Sequence, residues 1–314
     1  MNTFYFVCQQ TIVFMVPLII VACAGIFSER GGVLNFSLEG IMLAGAFCGA
    51  LFLRGINDGT NLHYIAALFV AGLGGVFVIL FHAIAAISFR GNQIVSGMAI
   101  NLLVPPLTIV LGRSLVGTLQ IVFANTFIIR EVPGLSRIPI IGDIFFRQAY
   151  ISNLLGLIVL FVAIFVMNKS KFGIHLRACG ENPQAAASMG INVTRTRYIG
   201  VLISGFIGGM GGLAFIIPNA TEYAATVAGY GYLAVGVVIF GQWNPTKMLL
   251  AALFFGFMKT ISTIYSTIPF LAGLGLTKYW YSMVPYLATI VVLVFTSRRS
   301  GEPRALGQVF EHHS

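Results

Sequence analysis

Charge is what this sequence has least of. Charged side chains make up 9% of its 314 residues, 9 acidic against 18 basic, while 58% of the chain is apolar. A water-facing surface needs closer to a quarter of charged residues, so the chain cannot coat itself for water and belongs in lipid. Cysteine is scarce as well: Cys8, Cys23, Cys48 and Cys179 lie far apart without metal-ligand spacing, and neither a disulfide framework nor a metal centre is expected. No phosphate-binding GxxxxGK[ST] loop occurs, because residues 241–247 end in Lys247 but lack the second glycine and the following hydroxyl. No HExxH or GxSxG is present, and His63, His82 and His175 stand apart from one another and from the His312–His313 pair. No catalytic residues and no cofactor are therefore assigned.

The net charge of +9 comes from Lys and Arg scattered singly or in pairs, which suits membrane topology and not nucleic acid. Residues 1–10 carry no Lys or Arg, so the first apolar run is expected to be a retained span and not a cleaved signal. Apolar runs fall at 11–27, 36–53, 64–87, 94–112, 151–167, 198–217, 231–241, 248–264 and 281–296. With roughly 20 residues per span, they predict an all-α polytopic bundle of about nine spans. One polytopic membrane domain over 1–297 and a tail over 298–314 are expected.

Orientation follows from the two most basic segments, a connection at 169–197 with Lys169, Lys171, Arg177, Arg195 and Arg197, and the tail with Arg298, Arg299 and Arg304. Four runs separate them, so both lie on one side, taken as the cytoplasm, with the amino terminus outside. Eleven basic residues then lie inside and six outside, with Lys259 inside a run. Pro105–Pro106 is expected to interrupt the fourth run. The stretch 113–150, with turns expected at Pro133–Gly134 and at 141–143, reads as an outer interfacial loop.

Glycine is abundant, 36 residues. Ser204, Gly208 and Gly212 share an arc of about 80° on a helix, and the Gly205/Gly209 and Gly208/Gly212 pairs have the spacing that lets helices touch backbone to backbone. Asn35 and Glu39 lie four residues apart at the entrance to an apolar run, behind Gly31–Gly32. That pattern predicts a broken or re-entrant helix, with Glu39 either capping a neighbouring helix or meeting substrate or a proton. Around a second polar stripe, Gln93, Gly97 and Asn101, stand Asn92 and Ser96; its uncharged amides either line a path for a polar, uncharged ligand or lock the bundle. In the cytoplasmic connection, Asn182 as cap, Pro183 at the first helical position, Ala185, Ala186 and Ala187, and a left-handed stop at Gly190 predict a helix of about two turns. Preceded by Glu181 and including Gln184, it has too little surface to bind anything unless it drops into a partner's groove.

Four ordered motifs, GGVLNFSLEG at 31–40, GNQIVSGMAIN at 91–101, GENPQAAASMGIN at 180–192 and VVIFGQWNP at 237–245, resemble the permease subunits of bacterial ABC importers. The resemblance spans about 12–296 and is strongest to the simple-sugar and purine-nucleoside branch, a relative of ribose and branched-chain amino-acid permeases. It implies a type II importer fold with an inverted repeat, in which 31–47 runs outward and 229–243 inward. It also implies ABC ATPase subunits as partners, a second, non-identical permease subunit, an extracellular or periplasmic substrate-binding protein, and a surround of membrane lipid in the bacterial cell membrane. By this resemblance residues 181–190 form the ATPase-coupling helix, with Gln184 where the family pattern has an acid. The cargo implied is a nucleoside or simple sugar, with a branched-chain amino acid as the alternative. An ion-coupled carrier would need intramembrane acids, and Glu39 is the one well inside a predicted run.

Overall fold

The fold was obtained as a computed structural model that describes residues 3–56, 60–123, 127–131, 136, 138, 141–145, 147–268, 273, 275, 277–296 and 301–310. In chain order its elements begin with helices α1 (Thr3–Glu29), α2 (Leu38–Arg54), α3 (Asn61–Ala83, continued by a π turn at Ile84–Ser88) and α4 (Gln93–Val116). A small outer excursion follows, made of β1 (Ile121–Val122), β2 (Ile128–Glu131), α5 (Ile141–Phe145) and β3 (Arg147–Tyr150). Then come α6 (Ile151–Lys169), α7 (Lys171–Glu181), α8 (Pro183–Ser188), α9 (Val193–Asn219), β4 (Glu222–Tyr223), α10 (Tyr230–Phe240), α11 (Pro245–Ile264) and α12 (Lys278–Thr296).

Each of the nine apolar runs is largely helical, and among the described residues six helices are long and apolar enough to cross a membrane: those containing α1, α3, α4, α6, α9 and α11. Helices α2, with 17 residues, and α10, with 11, are shorter. At 1.5 Å per residue α10 is about 16 Å long, half a bilayer core. The expected break at Pro105–Pro106 does not occur, since α4 runs through both prolines. The carbonyls of Asn101 and Leu102 lose their helical donors there, and the Thr108 hydroxyl adds a bond to the Pro105 carbonyl at 2.9 Å one turn on. Over 141–143 the chain forms the first turn of α5 in place of the expected turn. Pro133 and Gly134 lie outside the described residues.

Helix α9 is the axle, packing against α1, α2 and α3. Its glycines fall on separate faces. A methyl at Gly212 would overlap the Met42 carbonyl, and one at Gly208 would stand 2.9 Å from Ile41, both on α2. Methyls at Gly205 and Gly209 would overlap Ile79 and the Ala71 carbonyl, both on α3. Lipid tails are as apolar as leucine, so this association rests on close van der Waals packing, which only hydrogen side chains permit here. Helices α4, α6 and α11 lie further out and expose Leu102, Leu103, Phe161, Phe165 and Leu250, as lipid-facing surfaces should.

Two ends of the bundle are distinct. At one, β1 pairs antiparallel with β4 and β2 with β3. At the other, the end of α1, the α7–α8 unit, the end of α10 and residues 301–310 converge through hydrogen bonds. The basic connection and residues 301–310 thus share one end of the bundle.

Candidate functional site

The site begins where α1 ends. After Glu29 the chain turns at Gly31–Gly32, with Gly32 at φ +87°, and re-enters the bundle instead of leaving it. The Asn35 amide donates to the Ser204 hydroxyl at 2.9 Å, and Ser204 lies eleven positions past Val193 on the 27-residue α9. By helix rise that is roughly 16 Å along a rod of about 40 Å, so Asn35 sits well inside the membrane. Helix α2 starts at this depth and runs to the β1–β4 end.

Helix α10 starts at the same depth and runs the other way. Its far end is fixed at the end of the bundle opposite the β1–β4 pair, where the Trp243 indole donates to the Glu29 carboxylate and the Arg30 guanidinium donates twice to the Trp243 carbonyl, at 3.0 and 2.8 Å. Its near end meets α2 amino terminus to amino terminus. Between them stands Glu39, whose two carboxylate oxygens accept from the amides of Gly229 at 3.0 Å and Gly231 at 2.7 Å. Two positive helix ends facing each other in lipid would repel, and a carboxylate placed between them offsets both. The approach requires glycine: a methyl at Gly231 would overlap the Glu39 backbone, and Gly229 holds φ +77°.

The amides named from the sequence converge on the same loop. Gln93 accepts from the Leu34 amide at 2.7 Å, and Asn101 accepts from the Gly40 amide at 2.8 Å while donating to the Phe36 carbonyl at 2.6 Å. Asn35 also accepts from the amide and hydroxyl of Ser37. Ser96 bonds His82, whose other ring nitrogen lies 3.0 Å from the Leu34 carbonyl. Asn92 stands apart as the cap of α4, accepting from the amides of Ile94 and Val95. A re-entrant loop has no helical ladder to satisfy its backbone, and these side chains supply the missing partners.

Two further polar groups lie near the same depth. Lys259, fourteen positions into α11, holds its ammonium 5.8 Å from the Tyr230 ring centre, and no carboxylate among the described residues lies within ion-pair distance of it. Tyr286 of α12 is 58% exposed, with its hydroxyl near Gly229. Periodicity gave no reason to single them out, although an ionisable residue inside an apolar run was itself a signal for Lys259.

At the end of the bundle opposite the β1–β4 pair, Glu181 closes α7 instead of opening the next helix, and lies 4.0 Å from Arg30. Asn182 then caps α8 by accepting from the Ala185 amide at 3.0 Å, with Pro183 at the first position. Gly190, at φ +81°, ends the turn. Gln184, Ala185 and Ala187 carry exposed or half-exposed surface, Ala186 packs inward, and Met189 beyond them is 83% exposed. Burial pushes the Cys179 thiol of α7 above its ordinary range, against the pull of the Arg197 charge and a Thr196 hydrogen bond.

A family model described as branched-chain amino acid transport system / permease component matches residues 8–293. The chain belongs to that family. It is 39% identical to the guanosine ABC transporter permease protein NupQ of Bacillus subtilis, over 95% of this chain and 93% of that one. It is 36% identical to the nucleoside ABC transporter permease protein NupC of Lactococcus lactis, over 98% and 96% respectively. A more distant match from Bacillus subtilis, the guanosine ABC transporter permease protein NupP, is 26% identical over 80% of this chain and 72% of its own length. The protein is an ABC transporter permease, a multi-pass protein of the cell membrane.

Proposed function

We propose that this chain is one of two permease subunits of an ATP-driven importer that moves nucleosides across the cell membrane. The near full-length similarity to guanosine and nucleoside permeases carries the substrate class. Uncharged amides and the neutralised α2–α10 junction agree with an uncharged polar cargo, since a free helix amino terminus would favour an anion. Hydrolysis belongs to a separate ATPase that receives α8, and an external binding protein delivers the cargo. The domain is single, over 1–297, with nine membrane helices, α2 and α10 being the shorter, corresponding members of an inverted repeat because they start together and diverge.

The second permease covers the face carrying Lys259 and Tyr286, which lipid tails would not tolerate in the middle of the bilayer. Its non-identity follows the presence in one organism of two guanosine permeases, to which this chain is 39% and 26% identical. The path runs between the subunits, with Asn35, Glu39, Gln93, Ser96 and Asn101 holding the re-entrant element that borders it and Asn92 capping α4 beside it. ATP-driven closure of the partner moves α8 and rocks the two permeases between outward and inward openings. Uptake of labelled guanosine, ribose and leucine in a deletion strain tests this: guanosine uptake restored by this gene is expected, and restoration of leucine or ribose uptake alone would overturn the substrate class. The purified chain alone should hydrolyse no ATP.

A further inference from the structure

Helix α7 ends with carbonyls that have no intrahelical donor, and a helix end needs partners for them. Here they come from elsewhere. The Ala305 amide donates to the Gly180 carbonyl at 2.8 Å, and the Gly307 amide to the Gly32 carbonyl at 3.1 Å. Arg197, 3% exposed on α9, spreads its guanidinium over the carbonyls of Gly31 at 2.9 Å, Gln308 at 3.2 Å and Cys179 at 3.4 Å. Three segments distant in sequence, the loop into α2, the end of α7 and residues 301–310, are thereby held by one planar fork of donors. Phe310 packs on the small apolar cluster of Cys179, Ala186 and Val193 that seats α8. Gly180 lies so close to the loop that a methyl there would overlap the Arg30 carbonyl. Apart from the packing of Gly180 and Leu176 on the loop, the direct polar contact between the α7–α8 unit and the loop is the Arg30–Glu181 pair, which at 4.0 Å and with a half-exposed glutamate binds weakly.

We propose that residues 301–310 and Arg197 form a clasp that makes the coupling unit α7–α8 and the re-entrant loop 31–37 one rigid body, so that force applied to α8 reaches Asn35 and Glu39. Arg197 is then a positioning residue for transport: it touches no cargo and acts through the Gly31 carbonyl. The inference rests on the ATP-driven reading above, and it assigns to the tail a part in coupling and not in assembly.

The test uses the whole importer with its ATPase and second permease, with this chain either intact, ended after Gly301, or carrying Arg197→Lys. A first measurement needs no cargo: labelling of Cys179 by a maleimide applied from the cytoplasmic side and mapped by mass spectrometry. Cys179 is fully buried, and removing the tail should speed its labelling about tenfold or more. The second measurement is cargo moved per ATP hydrolysed, expected to fall about tenfold with the ATPase still bound, and to fall in Arg197→Lys because a single ammonium cannot reach three carbonyls. If the truncated chain fails to fold, Ala305→Pro removes one donor and should give the same two effects at smaller size. Unchanged labelling, unchanged cargo per ATP, or lost uptake explained wholly by a dissociated ATPase would each overturn the clasp. A wild-type importer that moves some other cargo would overturn the nucleoside reading alone, and the ratio would then be scored with that cargo.

Discussion

Replacing Glu39 by glutamine is the sharpest perturbation of the α2–α10 junction, because it preserves shape while removing the charge and one acceptor. The carboxylate accepts from Gly229 and Gly231 with separate oxygens. A glutamine has one carbonyl oxygen and an NH2 group that cannot accept, so one of these amides loses its partner. An unpaired amide of this kind costs about 1–3 kcal/mol, and loss of the negative charge at a helix amino terminus adds roughly 0.3–1 kcal/mol, up to about 2 where partly buried. The two terms sum to roughly 1.3–5 kcal/mol, and because Glu39 is partly exposed, water reaching the junction pulls the total into the lower half of that range, about 1–3 kcal/mol. At about 2–4 °C per kcal/mol for a large domain, the Glu39→Gln protein should melt roughly 3–10 °C below wild type in a detergent thermal-shift assay, with uptake reduced. Glu39→Asp, whose shorter side chain cannot span both amides, should fall between the two. A Glu39→Gln protein that melts with wild type would refute the view that this carboxylate holds two helix ends together.

Gly212→Val should destabilise the bundle more than any surface change, since even a methyl there overlaps the Met42 carbonyl; loss of a monodisperse peak in detergent chromatography is the readout, and normal expression would contradict the backbone contact. Asn101→Leu strips partners from the Gly40 amide and the Phe36 carbonyl, costing about 2–4 kcal/mol from two orphaned groups, to be read as a lower melting temperature. Replacing Pro183, Ala185, Ala186 and Ala187 with bulky charged residues should abolish capture of the ATPase in a pull-down while leaving the spans folded, and an intact pull-down would count against α8 as the docking element.

What could be read from the sequence was what local chemistry decides. Helix α8 is bounded by Asn182, Pro183 and Gly190, whose preferences act within a few residues, so cap, start and stop can be placed without knowing the fold. The spacing of Ser204, Gly208 and Gly212 likewise predicts a packed face, but that Gly205 and Gly209 serve a different neighbour depends on where α3 lies. The Glu39 contacts join residues 190 and 192 positions apart, and no periodicity encodes them. Residues 301–310 are irregular and polar enough to read as a plain tail, yet Arg197 makes them part of the fold by offering donors to carbonyls that no helix could satisfy.

The polar stripe illustrates why a site is harder to read than a fold. Any amide inside a bilayer must find a partner, so the presence of Gln93 and Asn101 established that they bond and not to what. Backbone carbonyls and amides of a re-entrant loop compete with a ligand for the same donors and acceptors, and in this structure the loop from Leu34 to Gly40 has taken them. Groups left over are better markers of a path than groups already spent. Lys259 and Tyr286 are such groups, since each is polar, near half depth and open on one side. A cargo passing between two permeases would therefore meet the α11–α12 face first, while Glu39, fixed between two helix ends, would govern whether α2 and α10 move together or apart.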